Sequence, residues 1–279
     1  MDNGYRGTIC VRDEYYNVEV VSEYIKDYGM AYIDGETLNR AIAVFVIDLT
    51  KLYPKIQMMW KGFELEEQSK CRVNEGFIKN LLQGEWVTDY WIFHALLEEM
   101  NIINKQCEAI EIPKLFSHTY GTFYTDMPEG YRNILLATLK NYYDFVLVLE
   151  ILVVHNISIK AFQKDSLFIK GIARKDDNGN IKGSIVMLKE WINNNTKTNF
   201  DVEKVIINPL RHIRKIRQVP AHELTNNSYD IEVFEKQKEL MIDTYGALRA
   251  IRILLMNHPL TKDVEIPDFL IESKNIVFY

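Results

Sequence analysis

From Asp89 to Cys107 the chain reads DYWIFHALLEEMNIINKQC, in which apolar residues return every three or four positions. That spacing matches the 3.6-residue turn of an α-helix and puts one apolar stripe against a core. Thr88 is the expected N-cap. The same period recurs in ETLNRAIAVFVIDLTKLY, predicted to stop at Pro54, and in ELEEQSKCRVNEGFIKNLLQ. Stretches of this kind commit the chain to a mainly all-α architecture. With 279 residues, 47% of them hydrophobic, and only seven prolines and 13 glycines, it can bury a large core. Disordered and collagen-like classes are excluded.

The segment Glu111–Tyr124, EIPKLFSHTYGTFY, lacks a clear period and contains Pro113 and Gly121. It is the expected internal boundary, separating a helical N-terminal region of unassigned role, residues 1–125, from a helical bundle over 126–279. Asp126-Met-Pro128-Glu129 reads as a helix start: an Asp N-cap, proline in the first turn and glutamate completing a capping box. A long helix is predicted from there to about His155. Asn178-Gly179 between two apolar stretches signals a small β-hairpin insertion or a protruding loop. Asn193–Asn195 reads as a polar loop. Asn208-Pro209 predicts a further helix start, and a last helix should run from about Ser228 to Asn257, before Pro259.

The three cysteines, Cys10, Cys71 and Cys107, are odd in number and far apart, so no disulfide framework or CxxC site is written here. The first residues carry no basic segment followed by an apolar core. The longest apolar stretch, Phe145–Val154, is short of the ~20 residues needed to span a bilayer and is interrupted by Glu150. These features predict a soluble, cytoplasmic chain with no membrane partner.

Formal net charge is −6, yet between Glu203 and Arg217 five basic residues (Lys204, Arg211, Arg214, Lys215, Arg217) face one acid, a local +4. Phosphate contacts need local positive charge, and an acidic remainder discourages indiscriminate nucleic-acid binding. On a continuous helix Leu210, Ile213, Ile216, Ala221 and Leu224 share one face and Arg217 falls among them, while Arg211, Lys215, Gln218 and His222 lie opposite. Burying an unpaired arginine is costly, so Arg217 is expected to face a partner, a ligand or an interface. Pro220 lacks the N–H that would bond to the Ile216 carbonyl and is expected to kink or break the helix. A break would let Arg217 and His222 converge, whereas a continuous helix sets them about 140° apart.

Arg217-Gln-Val-Pro-Ala-His222, within LRHIRKIRQVPAHEL, resembles the Arg-x4-His signature of HEPN domains. These are helical-bundle proteins, many of them metal-independent ribonucleases of toxin–antitoxin, abortive-infection and CRISPR-associated defence systems. The resemblance covers about residues 200–258. It implies a HEPN-like bundle in the C-terminal half and an endoribonuclease that cleaves RNA by 2′-OH attack, leaving 2′,3′-cyclic phosphate and 5′-OH ends. Arg217 and His222 would be catalytic, the histidine as general base and the arginine on the scissile phosphate. Arg211 and Arg214 would hold flanking phosphates with Lys215, and Gln218 would orient His222 or the phosphate. His212 is an accessory candidate, as is Glu150, which pairs with a motif arginine across the bundle or is solvated at a helix end. No cofactor or metal is implied. A homodimer is, and an antitoxin or defence-system protein would be a further partner. Two positions past the histidine, where HEPN toxins paired with minimal nucleotidyltransferases carry a modifiable tyrosine, stands Leu224. The competing reading is a non-catalytic HEPN-like module that binds RNA, nucleotide or protein.

Other motifs carry less. HELTN at His222–Asn226 lacks the second histidine of a zinc-protease HExxH, and DDNGNIKG at Asp176–Gly183 lacks the glycine and bidentate glutamate of a calcium loop. His94 and His155 read as core or helix-end residues, and His258 as a cap.

Overall fold

The computed structural model describes residues 7–12, 15–20, 29–33, 40–79, 90–121, 127–134, 136–222, 228–272 and 276–278. They fall into two compact units, one reaching Trp91 and one running from Ile92 to Phe278. The chain is mainly helical, with small sheets. No helix among the described residues is long and apolar enough to cross a membrane.

The first unit differs from the predicted helical extension. Strands β1 (Gly7–Arg12) and β2 (Tyr15–Val20) pair antiparallel, Gly7 opposite Val20 and Arg12 opposite Tyr15. A second antiparallel sheet has β3 (Gly29–Ile33) between β4 (Arg40–Ala43) and β5 (Cys71–Val73). Ala31 and Tyr32 are buried in it, and Asn74 donates its amide to the Tyr32 hydroxyl at 3.1 Å. The helix predicted over 36–53 is therefore β4 followed by a single turn, α1 (Val46–Leu49). A short apolar run such as AIAVFVI fits a strand as well as a helix, and β-branched residues tip it to the sheet. Pro54 opens α2 (Pro54–Lys61) rather than closing a helix, because its missing N–H costs nothing in a first turn. Where the helix predicted over 64–83 is described, up to residue 79, it holds β5 and the short α3 (Glu75–Ile78). Thr88 lies outside the described residues.

In the second unit, α4 (Ile92–Ala109) packs along α9 (Glu232–Met256). Phe93, Leu96 and Ile103 of α4 and Met241 and Ala247 of α9 are fully enclosed. Each large apolar side chain of this kind contributes ~1.5–3 kcal/mol. The expected boundary near 111–124 lies inside this unit. Helix α4 ends in a Schellman turn, with Ile112 N–H donating to the Cys107 carbonyl and Glu111, at φ 61°, to that of Glu108. The aperiodic chain beyond is clamped by two buried asparagines. Asn104 exchanges two 2.9 Å bonds with the Phe116 backbone, and Asn156 two of 2.8 Å with that of His118.

The long helix predicted from Pro128 starts at residue 139 instead. Asp126 lies outside the described residues. Gln237 of α9 holds 132–134 in a non-helical path, accepting from Ile134 N–H at 3.0 Å and donating to the Arg132 carbonyl at 2.9 Å. Thr138 bridges Tyr229 and caps α5 (Leu139–Leu149), accepting from Asn141 N–H. Helix α5 runs on as a wide π-helical turn, Glu150–His155. After the short α6 (Lys160–Gln163), the Asn178-Gly179 turn forms with Gly179 at φ 82° and one bridge, Lys175 to Ile181. Asp176 organises it, accepting from the N–H groups of Asn178 and Asn180, and these bonds hold its carboxyl below the usual range. Helix α7 (Ser184–Asn195) follows, so Asn193–Asn195 form its last turn rather than a loop.

Helix α8 (Asn208–His222) is preceded by a second π-helical segment, Glu203–Ile207, whose N–H groups at 203 and 204 donate to Asp201. The helical path thus starts before Asn208-Pro209. Pro209 sits inside it, directly after wide turns that accommodate its missing donor. At the far end α8 continues through Pro220 to His222, where a break was expected. The last helix agrees with its sequence prediction to within a few residues, and Arg252 in it donates to the Leu270 carbonyl of α10 (Asp268–Glu272).

Candidate nucleic-acid interface

Helix α8 divides by exposure. Leu210 and Ile213 are fully buried against α5, α9 and the Glu150–His155 turn, and Ile216 is half-buried. Arg217, two turns beyond Leu210 on the same face, is exposed and pairs with no carboxylate among the described residues. It was expected to interrupt a buried stripe, but the core ends before it. His212 and Gln218 are exposed too.

The basic face does converge on something. An open groove of about 200 Å³ is lined on one side by Arg211, Arg214, Lys215 and Gln218, and on the other by Gly183, Ile185 and Val186 at the start of α7. The spacing 211, 214/215, 218 is one helix face, so a single α-helix delivers all four side chains. No side chain caps the first turn of α7, and no acidic residue occupies it. That end carries the positive pole of the helix and unsatisfied N–H donors.

Two glutamates fix the cations. Glu203 accepts from Arg211 and is 2.7 Å from Lys189 of α7. The Lys189 hydrogen bond, ahead of the Arg211 charge, holds the Glu203 carboxyl below its ordinary range. Glu150, only 5% exposed, lies 3.6 Å from Arg214, Oε1 to Nε, which is an ion pair rather than a hydrogen bond. Lys215 adds a charge with no carboxylate partner among the described residues.

Of the residues singled out in sequence, Arg211, Arg214, Lys215 and Gln218 line this groove, and Glu150 contacts it through Arg214. Arg217 and His212 do not line it. The His222 side chain lies outside the described residues. Its backbone closes a continuous α8, so the helix itself sets positions 217 and 222 about 140° apart. Sequence reasoning missed the opposite wall. The apolar spacing of SIVMLKEWI, with Ile185, Leu188, Trp191 and Ile192 buried, was the signal for α7. Glu203 stood in the sequence as the one acid in the basic run. Its role as the clamp joining α7 to α8 needed the fold.

Compared with known protein families, curated proteins and solved structures, the chain finds no match.

Proposed function

We propose that the chain is a metal-independent endoribonuclease of HEPN type. The groove on α8 carries the RNA backbone, and Arg217 with His222 performs the cleavage. The observation that supports this most is the convergence of Arg211, Arg214, Lys215 and Gln218 in one groove on an otherwise acidic chain. Guanidinium and ammonium groups on one helix face suit successive phosphates.

In the reaction, His222 takes the proton of a ribose 2′-OH, the 2′-oxygen attacks the adjacent phosphorus, the bond from phosphorus to the 5′-oxygen breaks, and that oxygen takes a proton from water. Arg217 stabilises the charge that grows on the phosphoryl oxygens. The products end in a 2′,3′-cyclic phosphate and a 5′-OH. A continuous α8 does not bring the two positions together within one chain. The reading therefore includes a homodimer, in which the exposed ends of two α8 helices meet and each copy's arginine serves the other's histidine. Such an enzyme would act in the cytoplasm as a growth-arrest or antiviral effector, restrained by an antitoxin or another defence-system protein.

The test is RNA cleavage by the wild type and by the Arg217→Ala and His222→Ala variants, with and without EDTA. Both substitutions should abolish product with the circular dichroism unchanged, and EDTA should have no effect. Activity that is lost in EDTA, or kept in both variants, overturns the proposal. The unbroken α8 favours a second reading, a module that binds RNA, nucleotide or protein without cutting. RNA affinity with no product from any RNA pool supports it.

A further inference from the structure

The groove is built for more negative charge than one phosphodiester brings. Three cations line it, Arg211, Arg214 and Lys215, and together with Lys189, which shares Glu203 with Arg211, they stand against two carboxylates, Glu150 and Glu203, which leaves two positive charges. The uncapped first turn of α7 adds roughly half a charge more. An internal phosphodiester carries one negative charge, whereas a phosphomonoester carries about −1.5 to −2 near neutral pH and three acceptor oxygens. The shape agrees. A groove of about 200 Å³ has room for a phosphate with its sugar, and Gly183, one of the residues lining it, adds no side chain there. Ile185 and Val186 line the same side with apolar surface, against which a ribose or base edge would rest.

We propose that the groove between the first turn of α7 and the basic face of α8 binds the terminal phosphate of an RNA, in preference to an internal phosphodiester. This rests on the RNA reading above for the identity of the chain bearing the phosphate. It is independent of whether that chain is cut. Arg211 and Arg214 reach the phosphate while paired with Glu203 and Glu150, Lys215 meets it unshared, and the N–H groups of the first turn of α7 complete the set. Glu150 and Glu203 hold the two arginines extended toward the groove, so little ordering remains to be done on binding.

The position that tests the idea is Val186, third in α7 and exposed. A glutamate there is favoured by the helix, so the fold is kept, and it brings a competing carboxylate to the phosphate site. Glutamine has nearly the same shape without the charge. Binding is measured by fluorescence anisotropy with short 2′-O-methyl RNAs, which cannot undergo 2′-OH attack. They carry a 5′-phosphate, a 3′-phosphate or only hydroxyl ends, and inorganic phosphate serves as competitor. A phosphorylated RNA should bind about tenfold tighter than its hydroxyl-ended twin. Val186→Glu should erase that preference with the melting temperature kept, and Val186→Gln should retain it. Which end is preferred gives the polarity of the bound strand.

Equal affinity for all three RNAs overturns the proposal, as does an unchanged preference in Val186→Glu. Displacement by inorganic phosphate at the RNA's own dissociation constant would make the groove a free-anion site and also overturn it. Cleavage of unmodified RNA without any phosphate preference removes this inference and leaves the nuclease. Phosphate preference without cleavage removes the nuclease and leaves this inference.

Discussion

Arg252 is 2% exposed and Glu99 is fully buried, and the two join α9 to α4 through a 2.5 Å bond from Nε to Oε2. The guanidinium also donates to the Leu270 carbonyl of α10 at 3.0 Å. The other Glu99 oxygen has no hydrogen-bond partner among the described residues. Replacing Arg252 with Met keeps the volume and strands the carboxylate in the core. Breaking a buried pair on one side costs ~3–5 kcal/mol. For a unit of this size each kcal/mol moves the melting temperature by about 2–4 °C, so Arg252→Met should lower it by roughly 6–20 °C. Burial already pushes the Glu99 carboxyl above its usual range, against the pull of Arg252. A carboxyl raised in this way binds its proton more readily folded than unfolded. Its contribution is fullest below the unfolded value and is lost as pH rises through the folded one. The Arg252→Met deficit should therefore shrink as pH falls from 7.5 toward 5.5. The double variant Glu99→Leu/Arg252→Met, which leaves no buried charge, should recover most of the loss. The assay is thermal and urea unfolding of the full chain at both pH values. A single variant within about 2 °C of wild type, or a double variant no better than the single, would refute the reasoning.

Gln237→Leu removes the groups that hold 132–134, leaving the buried Ile134 N–H without a partner, and should cost ~1–3 kcal/mol in urea unfolding. Gly179→Ala has open space for its methyl group, so only the φ of 82° opposes it, and a loss of ~1–2 kcal/mol is expected in the same assay. Burial pushes the Cys107 thiol up to about 12, so in a Cys10→Ser/Cys71→Ser variant a thiol reagent at pH 8 should label Cys107 only at the rate of unfolding. Asp230 is held below its ordinary range chiefly by the hydrogen bond from Lys236. Its stabilisation is present above the unfolded value and is lost as pH falls through the folded one, and an Asp230→Asn variant should show a shallower acid limb in stability against pH.

Helix α4 could be read from sequence because a long apolar stripe has only one good solution, and the end of α9 because Pro259 follows it. The first unit could not, since AIAVFVI is short enough for either period, and the sheet it joins is completed by β5, which pairs with β3 from about 40 residues away in the chain. The capping signal at Asp126–Glu129 was locally sound and was overridden by a side chain a hundred residues distant, Gln237. Within α8 the basic face was legible as a face. That it looks onto the start of α7 depends on the Lys189–Glu203–Arg211 clamp, which no local pattern encodes. Arg217 shows the opposite failure: periodicity assigns a direction on a helix but not where the surrounding core ends.

The two π-helical segments, Glu150–His155 and Glu203–Ile207, each begin at a glutamate that contacts an α8 arginine. Such a turn holds one residue more than the regular pitch, and so works as a phase shifter between the helix before it and the helix after it. Were the five residues 203–207 wound at ordinary pitch instead, everything downstream would be rotated by about 100°. Leu210 and Ile213 would turn away from the core and the basic face away from α7. The alignment of the cationic groove is thus a matter of counting as much as of composition, set by one residue in a turn that contributes no charge to α8 itself.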